Sequence, residues 1–134
     1  MPAADVIAIA RSVVAGRIAL AEDHQAEAIK AFQEGVAAQD RLPYTEPPFW
    51  YYPVRQSLAA AQLNAGQTDD AIATFRASLA HTPNNAYALY GLAEALKRKG
   101  DNAGAADTET RFRAAWSGIG SPDLNAPNKS STAK

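Results

Sequence analysis

A segment that recurs at a fixed interval constrains this chain more than any other feature, because a repeated unit must stack on copies of itself to bury its apolar face. Ala28-Ile29-Lys30-Ala31-Phe32, continuing to Gly35 and Val36, reads small, apolar, x, x, Phe, x, x, small, apolar. Ala71-Ile72-Ala73-Thr74-Phe75, continuing to Ser78 and Leu79, reads the same way. The apolar positions fall at i, i+1, i+4 and i+8, which is one stripe of an α-helix. The small residues Ala28/Gly35 and Ala71/Ser78 leave room for a neighbouring helix to approach. A third copy begins at Ala105, 34 residues after Ala71, whereas Ala71 lies 43 residues after Ala28. The longer first interval is accounted for by the Pro- and aromatic-rich stretch at 43–51.

Residues 52–85 carry the most complete unit. Leu58-Ala59 is followed by Gly66, a residue suited to ending a helix in the left-handed conformation. Thr68 then stands as an expected N-cap, with Asp69 and Asp70 complementing the dipole of the helix that follows. Ala71, Phe75 and Ser78 form a packing face, and Pro83-Asn84-Asn85 closes the unit. Residues 86–119 repeat the scheme with Leu92-Ala93, Gly100, Asp101/Asn102 and Ala105. This pattern resembles the tetratricopeptide repeat (TPR) family, whose period is 34. The resemblance implies an all-α fold, a TPR-type right-handed superhelix of three antiparallel helix pairs, about six helices in all.

The expected organisation is a TPR-like domain over 1–119, with units at about 9–42, 52–85 and 86–119, and a disordered tail at 120–134. The departures from the family pattern are informative. Arg55 and Leu89 replace its first-helix Trp, and Asp23 replaces the helix-ending glycine of the first unit, though Ala15-Gly16 keep a small-residue contact. Glu109 replaces the large apolar residue of the third unit, with Phe112 and Trp116 one turn later, as a capping repeat requires. The segment from Tyr44 to Arg55 resembles one near the C-terminus of longer bacterial TPR proteins. It implies an excised C-terminal domain or a short relative. The first helix is apolar on more than one face through Val6, Ile7, Ile9, Val13, Val14, Ile18 and Leu20, which points to a covering helix or to self-association.

Composition narrows the function. The chain has 134 residues, 47% of them apolar, enough for one folded domain. A net charge of −1 supplies no field to gather phosphate backbones, so nucleic acid is not an expected partner. No cysteine is present, which removes disulfides, thiolate metal sites and cysteine nucleophiles. The first twenty residues read neither as a signal peptide nor as a membrane span: no Lys or Arg precedes the apolar stretch, and Asp5, Arg11 and Arg17 interrupt it. The expected location is cytoplasmic, or periplasmic if the chain belongs to a longer one.

No catalytic motif, phosphate loop or dinucleotide glycine pattern occurs, and His24 and His81 stand apart near helix ends. Glu22/Asp23 and Asp69/Asp70 read as acids at helix starts, not as a catalytic pair. The expectation is a non-enzyme without metal or cofactor. The resemblance implies a concave groove lined by the first helix of each unit, binding a protein or peptide. Its groove positions map onto Arg17, then Gln56, Ser57, Ala60, Leu63 and Asn64, then Tyr87, Tyr90, Gly91, Glu94, Lys97 and Arg98. A co-chaperone carboxylate clamp is not expected, since Val13, Arg17, Ser57, Tyr87 and Gly91 occupy its positions and only Arg17 is basic. Phe49, Trp50 and Tyr51 are a further candidate contact, or else pack over the junction of the first two units. The alternatives to a binding module are a self-associating structural domain, for instance a homodimer through the first helix, and an accessory domain of a larger enzyme or redox protein.

Overall fold

The computed structural model describes residues 3–43, 53–116, 122 and 124. The described residues form six α-helices: α1 (Ala3–Ala21), α2 (Gln25–Asp40), α3 (Val54–Asn64), α4 (Thr68–His81), α5 (Ala86–Lys99) and α6 (Asn102–Ala115). Each helix packs chiefly on its neighbours in sequence, and α3 also meets α5. This is the arrangement of a stacked repeat, in which a unit touches only adjacent units.

The three first helices end alike. The N–H of Asp23 bonds the carbonyl of Leu20 and that of His24 the carbonyl of Ala19, at 3.1 and 2.8 Å. The same pair of bonds recurs at Gly66 and Gln67, and again at Gly100 and Asp101. In each case the first of the two residues is left-handed, with φ of 59° at Asp23, 81° at Gly66 and 89° at Gly100. These bonds satisfy carbonyls that the helix end would leave orphaned. Asp23 therefore does take the place of a terminating glycine. It also follows that Glu22 and Asp23 lie at the end of α1, not at the start of a helix as the sequence pattern implied. Thr68 likewise differs from expectation: it is the first residue of α4, Gln67 precedes it as N-cap, and no side chain caps that end. Asp101 does cap α6, accepting from the N–H of Gly104 at 2.9 Å.

The core divides into two apolar clusters. Ile9, Ala28, Ile29, Phe32, Val54, Leu58 and Ala61 belong to the first. Ala59, Leu63, Ala71, Phe75, Ala88, Leu92 and Ala105 belong to the second. α3 contributes to both, so it is the joint of the molecule and nine of its eleven residues are buried. The equivalent phenylalanines Phe32 and Phe75 are fully buried, and each lies on a glycine. A Cβ on Gly16 would come within 2.6 Å of the Phe32 ring, and one on Gly91 within 2.1 Å of the Phe75 ring. Truncating either ring to Ala is a loss of about 3–5 kcal/mol at a site this enclosed. At the third equivalent position Glu109 is partly exposed and pairs with Lys97, so the row of rings ends there. Beyond α6, Pro122 is buried and Leu124 packs on the second cluster beside Phe112 and Ala115. The remainder of the expected 120–134 tail lies outside the described residues.

Candidate partner-binding face

The groove positions read from the sequence fare differently on the three first helices. Arg17 is half-buried on α1. On α3, Gln56, Ser57, Ala60 and Leu63 are buried, and only Asn64 at its end is exposed. The reason is α3's place between α2, α4 and α5. On α5 all but the buried Gly91, which lies on the Phe75 ring, remain accessible: Tyr87, Tyr90 and Glu94 are half-buried, and Lys97 and Arg98 are exposed. Residues 87, 90, 94 and 97 follow 3-4-3 spacing and therefore share one face of the helix.

Buried polar groups set the start of that face. Asn85 caps α5, its Oδ1 accepting from the N–H groups of Tyr87 and Ala88 at 3.0 and 3.3 Å. Its Nδ2 donates to Gln56 Oε1 at 3.0 Å. Gln56 thus positions α5 from within the fold instead of meeting a partner at the surface. Its own Nε2, with Ser57 Oγ and Ser78 Oγ, is buried without a hydrogen-bond partner among the described residues.

The antiparallel turn at Gly100 lays the end of α6 beside the start of α5. Tyr87 meets Trp116 edge-on with ring centroids 5.6 Å apart, and Tyr90 meets Phe112 at 5.4 Å. Phe112 and Trp116 stack at 5.8 Å. Four half-buried rings therefore form one aromatic platform. Phe112 and Trp116 were legible in the sequence only as a capping feature. The signal that joins them to the tyrosines is their i, i+4 spacing at the far end of a helical hairpin.

The other end of the face is charged. Lys97 Nζ lies 3.3 Å from Glu94 Oε1 and also contacts the Glu109 carboxylate. The hydrogen bond to Glu109, then that to Glu94, raises the Lys97 ammonium above its ordinary value of 10.5. The same bond holds Glu109 below 4.5. Arg98 Nη1 donates to the Leu63 carbonyl at 3.1 Å, tying α5 to the last turn of α3. The face thus combines exposed ring surface with an acid–base–acid set.

A cleft of about 380 Å³ opens elsewhere, between α4 and α6 and lined by Arg76, Asp107 and Arg111 among others. Its floor of Leu79, Leu92 and Leu96 is only 7, 4 and 3% exposed, so it presents little apolar surface, and we favour the α5 face. Phe49, Trp50 and Tyr51 lie outside the described residues. The described residues flanking them are held together: Arg55 makes two 2.6 Å bonds to the Asp40 carboxylate, and Gln39 Oε1 accepts from the Val54 N–H at 3.0 Å.

Residues 62–108, from the end of α3 into α6, match the family model of the tetratricopeptide repeat. That segment is similar to a tetratricopeptide repeat. Comparison with curated proteins and with solved structures found no match to either. Tetratricopeptide domains act in general as protein–protein interaction modules and are generally non-catalytic. Among the described residues, no group of three His, Cys, Asp or Glu is placed to hold a metal ion, and no helix is long and apolar enough to cross a membrane.

Proposed function

We propose that the chain is a non-catalytic scaffold or adaptor that holds an extended or helical segment of a partner polypeptide along α5. The observation that carries this reading is the Tyr87–Tyr90–Phe112–Trp116 platform, half-buried and continuous with Glu94 and Lys97. Rings fixed against one another bring large contact area at little entropic cost, which is what binding hot spots require. The polar groups at the far end set the direction and register of the bound segment. An apolar or aromatic side chain of the partner lies on the platform and its polar groups meet Glu94 and Lys97. Peptides selected from a displayed library, measured by calorimetry, test this. Tyr87→Ala/Lys97→Glu, with its melting temperature followed alongside, is expected to bind at least about tenfold more weakly, a loss of about 1.4 kcal/mol. An Arg76→Ala control in the cleft between α4 and α6 is expected to bind unchanged. Equal binding by the double variant sinks the assignment to α5.

A second reading, association of two copies through α1, is favoured by Ile7, Val14 and Ile18, which are the exposed large hydrophobic residues among those described.

A further inference from the structure

α1 is apolar on two opposite sides. Ile9, Gly16 and Ala19 are buried in the fold. At 100° per residue, Ile7, Val14 and Ile18 point the other way, and they are 52, 58 and 54% exposed. With Arg11 between the first two, the stripe runs 7, 11, 14, 18. Spacings of four, three and four are the seam of a paired helix. Ala15 and Ala21 border the stripe and are exposed, so a second helix can approach closely. One packed helix, α2, already covers the inner side; none of the described helices covers the outer one.

We infer that the later half of the outer side, Val14 and Ile18, is covered by α1 of a second copy of this chain, lying antiparallel, with Arg11 of each copy paired to Glu22 of the other. This rests on the self-association reading and adds its register. Charge decides the register. Arg11 is exposed and enters no ion pair among the described residues. Glu22 continues α1 by one residue, its N–H bonded to the Ile18 carbonyl at 3.0 Å. Its side chain is 59% exposed, and among the described residues its ion-pair partner is the exposed His24 imidazole at 3.4 Å. Two of the antiparallel registers that interlock a seam of this spacing bring Ile18 into the contact. In one, Ile7 faces Ile18 of the other copy and Arg11 faces Val14. That arrangement sets the two Arg11 side chains about 4.5 Å apart along the axis, and like charges so placed repel. In the other, shifted by one heptad, Val14 faces Ile18 and each Arg11 lies beside the other copy's Ala21 and Glu22. The two Arg11 side chains are then about 15 Å apart. The second register removes the repulsion and creates two ion pairs, because a twofold contact doubles each interaction. It also keeps the Val14–Ile18 pairs in the dry centre with the charges at the rim, where they set orientation more than affinity.

Sedimentation equilibrium over a wide concentration range tests the proposal with charge reversals at two exposed positions that leave the core untouched. Arg11→Glu and Glu22→Arg are each expected to weaken the dimer by about tenfold or more, and the combined Arg11→Glu/Glu22→Arg chain to recover most of that loss. Val14→Glu is expected to abolish association. A monomer at every concentration overturns the self-association reading and this proposal with it. A dimer broken by Val14→Glu but indifferent to both charge reversals overturns the register alone. A dimer that survives Val14→Glu shows that another surface pairs the copies, and the outer side of α1 is then free for a helix of a different chain.

Discussion

Asp23 is the one non-glycine residue with a positive φ in the described backbone. Its φ of 59° belongs to a region where a side chain bearing a Cβ is disfavoured and glycine is at ease. The two equivalent positions are Gly66 and Gly100, and nothing lies within 4 Å of where a Cβ would sit on either. Asp23→Gly is therefore expected to stabilise the chain by about 0.5–1 kcal/mol, the strain relieved less the added freedom of the unfolded chain. Chemical denaturation measures this, and a loss of stability would mean that the Asp23 carboxylate has a role of its own. The residue pattern foretold this position, because the 43- and 34-residue intervals that relate the phenylalanines to each other and to Glu109 also relate Asp23, Gly66 and Gly100. Thr68 was less legible. A threonine ahead of two acids reads as a cap, yet the chain leaves the Gly66 turn one residue earlier and places Gln67 there.

Among the elements, the junction of α2 and α3 and the hairpin of α5 and α6 show what pairwise charges do. Arg55 stands where the family pattern has Trp, and its two bonds to Asp40 replace an apolar anchor by an ionic one across the 43–53 span. Arg55 is 21% exposed at its side chain and Asp40 46%. A double-mutant cycle on Arg55→Ala and Asp40→Ala is expected to give a coupling of about 0.5–1 kcal/mol, at the upper end for surface pairs because the geometry is bidentate. A coupling near zero would leave the Gln39–Val54 bond as the principal link. For the hairpin, Lys97 lowers the pKa of Glu109, so the pair's contribution is present above Glu109's ordinary 4.5 and lost as pH falls through the lower folded value. Lys97 is raised, so its own contribution is present below 10.5 and lost as pH climbs through the higher folded value. The melting-temperature gap between wild type and Glu109→Gln is expected to hold constant from about pH 6 to 9 and to close in acid. It is also expected to shrink with added salt, since both groups are open to solvent at least in part. A gap that persists at pH 3 would assign Glu109 a packing role.

The stack as a whole follows from the repeat, which prescribes which faces pair but not which faces stay open. The Phe32 and Phe75 stripes, the small residues beneath them and the polar Glu109 that ends the row were all readable before the structure. The accessibility of the groove was not. Gln56, Ala60 and Leu63 hold the same positions on α3 as the accessible Tyr90, Glu94 and Lys97 hold on α5. α3 lies between two apolar clusters, whereas α5 stands near one end. Burial there is a property of neighbours three helices deep, and no local pattern encodes it. The proposed binding face therefore contracts from three helices to α5 and the rings that α6 adds to it. Backbone amide shifts of the isotopically labelled chain, followed by NMR during titration with the strongest library-selected peptide, test that contraction most directly. The account predicts that the largest changes fall on Tyr87, Tyr90, Glu94, Lys97, Phe112 and Trp116. Changes confined to the outer faces of α2 and α4, with α5 unmoved, would contradict it.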